Sequence, residues 1–241
     1  MELKAIACDI DQTLTDNHSL LNLKAVELVR NLEAAGIKVV LISSREFMSA
    51  GSLAAFIGAC GIVAAEDGSV VGDYLHFRQP KLLGDPKKII HGIQALRQFI
   101  KPQLRVLPSW PGRVCSSILL HTDGYPFTKA NEILAQQSTG TRLIDSGIAY
   151  LLIDAATGKG RGLCEVAAIL DLKPEQFMAI GDNFNDLDMF EVAGWSAAVG
   201  NAPQAVKDQV DYVSEATYGE GFCEGVLQAL SQFRPDFKMT T

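Results

Sequence analysis

The sequence predicts a doubly wound α/β fold: a parallel sheet covered by helices on both faces, interrupted by a smaller α/β unit. Three observations predict it. Apolar runs at residues 3–8, 37–42, 62–65, 177–180 and 195–199 alternate with stretches of helical periodicity. The runs are apolar almost throughout rather than every second residue, which suits strands buried on both faces. The alternation changes near Pro80 and resumes at Lys159. Strand–helix alternation calls for parallel pairing through right-handed crossovers.

Taken in order, residues 3–8 read as a strand and 22–35 as a helix, with Leu23, Val26, Val29 and Leu32 on one side and Gly36 as its stop. Residues 37–42 form an apolar run broken only by Lys38, 46–58 a second helix, and 62–65 a strand. Glu66-Asp67-Gly68-Ser69 sets Asp-Gly between apolar runs, the pattern of a hairpin turn. Asp85-Pro86 opens a helix reaching about residue 100, and Lys101-Pro102 closes it; Pro108, Pro111 and Gly112 mark an irregular stretch. A strand at 116–121, a helix at 127–137 and a strand at 149–153 follow. A helix at 162–170, a strand at 177–180, a helix at 187–192, a strand at 195–199 and a last helix around 224–233 complete the chain. The expected division is a Rossmann-like core of residues 1–79 and 158–241, with residues 80–157 as the inserted α/β unit.

A hydrophobic share of 48% and a charged share of 20% are ordinary for a soluble globular protein. The net charge of -7 argues against general nucleic-acid binding. That charge is uneven: residues 80–157 carry nine Lys/Arg against five Asp/Glu, and the remainder twelve against twenty-three. A basic middle would suit a lid over an anionic substrate, and an unevenly charged solvated surface fits equally well. Cysteines 8, 60, 115, 164 and 223 show no Cys-x-x-Cys, which fits reduced thiols in a cytosolic protein. The four histidines lack zinc-ligand spacing. The N-terminus enters a strand directly, and no apolar run reaches the roughly 18 residues needed to span a membrane. The expectation is therefore a cytoplasmic protein with neither a nucleic-acid nor a membrane partner.

Ligands of open parallel sheets bind beyond the carboxyl ends of the strands. Asp9 and Asp11 end the first strand. Neighbouring carboxylates there repel and lose hydration, and a hard cation is the usual reason to keep them, with one carboxylate free to attack. Ser43, Ser44 and Arg45 end the second strand. A hydroxyl with backbone N–H groups at a helix start can bind a phosphate oxygen, or the serine can simply cap the helix. Lys159 lies in Gly158-Lys159-Gly160-Arg161-Gly162 and can neutralise phosphate and crowded carboxylates; taken alone it reads first as a solvated lysine in a flexible glycine loop. A P-loop is excluded, because the following Ser/Thr and the upstream Gly are missing. Asp182, Asn185 and Asp186 follow the strand at 177–180. Asp182 and Asp186 are four apart and would share a helix face. Complementing a helix dipole explains one acid but not the cluster.

Asp-x-Asp-x-Thr-Leu from Asp9, Ser43-Ser44-Arg45 after a buried strand, Lys159-Gly160 and Gly-Asp-x-x-Asn-Asp from Gly181, in that order, resemble the four motifs of the haloacid-dehalogenase (HAD) superfamily. The insertion between the second and third motifs, with Asp145-Ser146-Gly147-Ile148-Ala149 and Thr217-Tyr218-Gly219-Glu220-Gly221, resembles the branch with a C2-type cap. That branch holds Cof-like proteins, archaeal-type phosphoglycolate phosphatases and sucrose-phosphate phosphatases. Ser44 stands where Cof-like proteins usually carry glycine; Ser-Ser-Arg looks closer to the Ser-Ser-Lys of mannosyl-3-phosphoglycerate phosphatases. The resemblance implies a Mg2+-dependent phosphatase acting on a small phosphomonoester, phosphoglycolate first, through an aspartyl-phosphate. It implies Asp9 as nucleophile and Asp11 as general acid and base. It places Mg2+ on Asp9, the Asp11 carbonyl and Asp182, with Asp186 in direct or water-mediated support. Ser43, Ser44, Lys159 and Asn185 would bind the phosphate, and Arg113, His121, Lys129 and Arg142 are cap candidates for the rest of the substrate. A sugar-phosphate phosphatase, a phosphosugar mutase using the same motifs and a non-catalytic binding protein are the alternatives.

Overall fold

The apolar runs form the parallel centre of an eight-stranded sheet, seen in a computed structural model that describes residues 2–99, 112–119, 127–146 and 149–238. The elements in chain order are β1 (Ala5–Cys8), α1 (Leu23–Ala34), β2 (Lys38–Ile42), α2 (Phe47–Ile57), β3 (Ile62–Ala65), β4 (Val70–Asp73), β5 (Lys81–Leu82), α3 (Pro86–Phe99), β6 (Ser116–Leu119) and α4 (Phe127–Gln136). They continue with β7 (Thr141–Asp145), β8 (Tyr150–Asp154), α5 (Lys159–Ile169), β9 (Phe177–Gly181), α6 (Leu187–Val192), β10 (Trp195–Ala198), α7 (Gln204–Lys207), β11 (Tyr212–Val213) and α8 (Tyr218–Phe233).

The large sheet runs β11-β10-β9-β1-β2-β3-β4-β5, parallel from β11 to β3 and antiparallel over the last two pairings. The chain winds outward from β1 through β2 and β3. After the insertion it returns to β1's other flank with β9 and winds the opposite way. The reversal makes the carboxyl end of β1 a topological switch point, where a crevice opens between the loops.

Successive residues of the central strands enter different cores, as expected of strands buried on both faces. Ile6, Cys8, Val39, Leu41, Met178 and Ile180 pack with residues of α1, α2 and α8. Ala5, Ala7, Val40, Ile42, Phe177 and Ala179 pack with Leu163, Val166 and Met189 of α5 and α6. Asn22 caps α1 by accepting from the amides of Lys24 and Ala25 at 2.9 and 3.1 Å. Neither serine caps α2. That place belongs to Glu46, whose carboxylate accepts from the Ser49 amide at 2.7 Å.

A second, antiparallel sheet, β6-β8-β7, carries α3 and α4 over Ile89, Leu96, Ile133, Leu134, Leu143 and Leu152. β7 has no counterpart among the expected strands, because Thr141, Arg142 and Asp145 dilute its apolar signal; pairing with β8 along its whole length makes it a strand. β5 lies in the range expected for the insertion yet pairs with β4 of the large sheet. α5 begins at Lys159 rather than residue 162, and α8 at Tyr218 rather than near 224. Both first turns are glycine-rich, which lowers local helix propensity. There the glycines serve close approach: a Cβ on Gly162 would lie 2.7 Å from Gly68 Cα, and one on Gly221 2.3 Å from the Ala216 carbonyl oxygen. The irregular stretch around Pro108, the end of the strand expected at 116–121 and His121 lie outside the described residues. The five cysteines are free thiols. Among the described residues no helix is long and apolar enough to cross a membrane.

Candidate active site

The carboxyl end of β1 is tied to β9 by the Asp9 amide, which donates to the Ile180 carbonyl at 3.0 Å. The amides of Leu14 and Thr15 then converge on the Ile10 carbonyl at 2.9 and 3.1 Å, with Gln12 at a φ of 62°. This tight turn leaves Asp9 facing the loop after β9. One carboxylate oxygen from each of Asp9, Asp182 and Asp186, all buried, lies within 4.8 Å of the others. Into this cluster comes Lys159, 1% exposed, with its Nζ 2.6 Å from Asp9 Oδ1 and 2.5 Å from Asp186 Oδ1. The reading of Lys159 as a solvated lysine in a glycine loop is thereby corrected: it occupies the first turn of α5. A Cβ on Gly160 would lie 2.1 Å from the Asp188 carbonyl oxygen, so the glycines let this turn press against its neighbour.

Burial alone would lower the Lys159 pKa, but Asp186 and Asp9 hold it well above its ordinary value. Burial pushes the Asp9 carboxyl well above the usual range; Lys159 opposes this, while Asp186 and Asp182 add to it. Burial, then the neighbouring Asp186, pushes Asp182 up to about 7. Thr13 Oγ1 donates to Asp182 Oδ1 at 3.1 Å. Asp186 is committed on both oxygens, to Lys159 through Oδ1 and to the amides of Asp182 and Asn183 through Oδ2, at 2.9 and 3.0 Å. It ends a 3-10 turn, Phe184–Asp186, rather than lying on the same α-helix as Asp182. Three carboxylates facing one lysine leave an excess of negative charge presented by oxygen alone. That donor set fits a hard divalent cation.

The Asp11 carboxylate takes no part in that cluster. Arg45 grips it through two bonds, Nε to Oδ2 at 2.9 Å and Nη2 to Oδ1 at 2.6 Å. Ser43 is buried, and its Oγ accepts from the Arg45 amide at 3.2 Å. Ser44 lines a small cleft with Asp9, Asp11, Asp182, Asn185 and, from the inserted unit, Ser146. Ser44 Oγ and Asn185 Nδ2 both donate to Asp67 Oδ1, at 3.1 and 2.9 Å.

Thr13, Arg45, Glu66 and Asp67 carry contacts to which the sequence assigned no role. Glu66 and Asp67 read as turn residues, and they are; what marks them further is a φ of 51° and 52°, followed by 76° at Gly68. Left-handed backbone at two non-glycine residues in a row is uncommon and flags a constrained site.

The inserted unit reaches the core through the same turn. The Glu66 carboxylate, fully buried, accepts from the amides of Val114 and Cys115 at 3.0 and 2.9 Å and from Ser116 Oγ at 2.7 Å. Arg113 donates to the Ser44 carbonyl at 2.8 Å and to Ser116 Oγ at 2.7 Å. A cavity of about 510 Å³ beside Lys159 and Asn185 is walled by Phe127, Arg142, Asp145, Phe184, Asp188 and Glu191. Arg142 therefore faces a space next to the carboxylates. Lys129 pairs with Glu132 at the surface, and His121 lies outside the described residues. Thr217–Gly221 sits at the start of α8, and its residues 217–220 border a separate surface depression with Asp16 and Leu20–Leu23.

The sequence profile of the haloacid dehalogenase-like hydrolases matches residues 6–96 and 112–226. A phosphoglycolate phosphatase of Archaeoglobus fulgidus is 35% identical over 231 residues, 96% of this chain and 98% of that protein. One of Methanothermobacter thermautotrophicus is also 35% identical, over 93% of this chain and 97% of that protein. Among solved structures, a Thermoplasma acidophilum protein superposes with a TM-score of 0.83 at 23% identity, over 97% of this chain and 99% of that one. A haloacid dehalogenase-like hydrolase from B. subtilis does so with a TM-score of 0.77 at 18% identity, over 95% and 99%.

Proposed function

The chain belongs to the haloacid dehalogenase-like hydrolases, and on that premise we propose that it is a Mg2+-dependent phosphatase that hydrolyses phosphoglycolate through an aspartyl-phosphate. The observation that carries this reading is the buried Lys159 bridging Asp9 and Asp186 beside Asp182. An ammonium and an all-oxygen cation site side by side match what a phosphoryl group needs. The relatives named phosphoglycolate phosphatase, alike over nearly the whole chain, support the choice of substrate.

An Asp9 carboxylate oxygen attacks phosphorus as the bond to the leaving oxygen breaks. Asp11 gives its proton to that oxygen and then takes one from the water that attacks the aspartyl-phosphate, releasing phosphate and restoring Asp9. To carry a proton, Asp11 must loosen its two-bond contact with Arg45. Lys159 and Asn185 hold the phosphate oxygens together with Ser43, whose Oγ accepts from the Arg45 amide and keeps its hydroxyl proton to donate, and with the backbone N–H of Ser44, whose own hydroxyl proton goes to Asp67. Asp9, Asp182 and the Asp11 carbonyl would hold Mg2+, with Asp186 supporting them through Lys159 and the Asp182 amide. When bound, the cation supplies positive charge to the phosphoryl oxygens. Residues 80–157 serve as a cap that selects the leaving group, Arg142 contributing the positive charge that a second anionic group would meet. Free thiols support a reducing cytoplasmic setting.

A second reading, a sugar-phosphate phosphatase, is favoured by one feature. Asp145, Asp188 and Glu191 outnumber Arg142 in the cavity wall, and acceptors suit hydroxyl groups.

Phosphate release from phosphoglycolate, sucrose 6-phosphate, mannosyl-3-phosphoglycerate and hexose phosphates, with and without Mg2+, tests both. The expected result is Mg2+-dependent turnover, fastest on phosphoglycolate and abolished in Asp9→Asn. Phosphate shuttled between sugar positions without release would indicate a mutase instead.

A further inference from the structure

We infer that Asp67 is a positioning residue that holds two arms of the phosphate grip, Ser44 and Asn185, in one geometry; the inference rests on the phosphatase reading. Ser44 follows β2 and Asn185 follows β9, strands that flank β1 and do not pair with each other. Both strands are registered on β1, but Ser44 and Asn185 lie beyond the paired residues, so the sheet sets the distance between the two loops and not the orientation of these side chains. Asp67 fixes that orientation with a single oxygen: Oδ1 accepts from Ser44 Oγ at 3.1 Å and from Asn185 Nδ2 at 2.9 Å, and those two donors stand 3.2 Å apart.

The turn that carries Asp67 is itself anchored to the segments it serves. The Glu66 and Asp67 amides donate to the carbonyls of Arg45 and Ser43 at 2.8 and 3.0 Å, on either side of Ser44. Gly68 packs so closely on the loop before Lys159 that a Cβ there would lie 2.0 Å from the Gly158 carbonyl oxygen. The turn thus abuts all three phosphate-binding segments.

The arrangement is poorly explained by stability. Asp67 is 1% exposed, yet its Oδ2 has no hydrogen-bond partner. Burying a carboxylate with a bare oxygen costs free energy. Glycine or asparagine would accept the left-handed backbone more readily. The carboxylate's return is the shared acceptor. Asn185 keeps one N–H on Asp67, which leaves the N–H now facing Ser44 Oγ available to a phosphate oxygen, and Ser44, whose one hydroxyl proton is held by Asp67, presents its backbone N–H.

The test uses the full chain with Mg2+, inorganic phosphate as calorimetric ligand and p-nitrophenyl phosphate as substrate. Asp67→Ala is expected to weaken phosphate binding and raise KM by about tenfold or more, with a smaller fall in kcat. Asp67→Asn keeps an acceptor oxygen and is expected to stay within about threefold of the wild type. In a Ser44→Ala/Asn185→Ala background, Asp67→Ala should add less than about twofold, since Asp67 acts through those residues. Wild-type phosphate affinity in Asp67→Ala, or a full additive loss in that background, overturns the inference. If Asp67→Ala fails to fold, Asp67→Ser carries the same comparison. A wild type that binds phosphate but turns over no ester defeats the phosphatase reading alone, and calorimetry still decides Asp67. A wild type that binds no phosphate defeats both.

Discussion

Lys159 Nζ lies 2.6 Å from Asp9 Oδ1, although 150 residues separate the two in sequence and the whole inserted unit lies between them. The contact is buried on both sides, so neither group has water to fall back on. Removing one partner of such a pair leaves the other charge uncompensated, at a cost of about 3–5 kcal/mol. Lys159→Met should lower the unfolding free energy by that order and abolish turnover. Mg2+ should restore part of the stability, by offsetting the exposed repulsion between Asp9 and Asp186, and none of the turnover. Urea titrations with and without Mg2+ check this; an unchanged midpoint would show that the pair contributes nothing.

Asp182 gives the metal-free protein a pH dependence of definite sign. Its folded pKa of about 7 lies above an unfolded value of about 3.9, so the folded state holds the proton more tightly. Metal-free stability should fall as pH rises from about 4 to about 7 and level off above, as far as this group decides it. A cation must displace the proton. Mg2+ should therefore bind more tightly at pH 8 than at pH 6 and release a proton at the lower pH. Calorimetry in two buffers of different ionisation enthalpy measures that release, which Asp182→Asn should remove.

Asp154 behaves in the opposite sense. Burial would raise its carboxyl, but the Ala156 amide at 3.0 Å, Lys88 at 2.9 Å and the Asp85 amide at 3.1 Å outweigh burial and hold it below the usual range. A depressed folded pKa contributes stability above the unfolded value of about 3.9 and loses it as pH falls through the folded value. These bonds join the end of β8 to the start of α3. Asp154→Asn should flatten the loss of stability below about pH 4, read from urea midpoints between pH 3 and 6.

Glu66 is expected to hold residues 114–116 to the core. Glu66→Leu would leave the buried Cys115 amide and Ser116 hydroxyl without their acceptor, each worth about 1–3 kcal/mol when unsatisfied, together with the half-buried bond from the Val114 amide. Amide hydrogen exchange at Val114 and Cys115 should accelerate strongly, ahead of exchange in β1 and β2. Retained protection at those two amides would rule the contact out.

What the sequence determined by itself is what local pattern records: how deeply a segment is buried and where it stops. Runs such as Val39–Ile42 announced strands covered on both faces, and the polar residues ending them marked Asp9, Ser44 and Asp182 as one rim. The glycines before and after Lys159 suggested a loop, because low helix propensity is local while the close packing that demands glycine is not. Only the tertiary structure decided partners. Asp11 turns to Arg45 and away from the buried carboxylates, Asp186 spends both oxygens within the protein, and Asp67, read as a turn residue, meets Asn185 across 118 positions. Those choices follow from strand order and register in the sheet. Order and register bring distant loop ends to a fixed separation, and no periodicity along the chain encodes them.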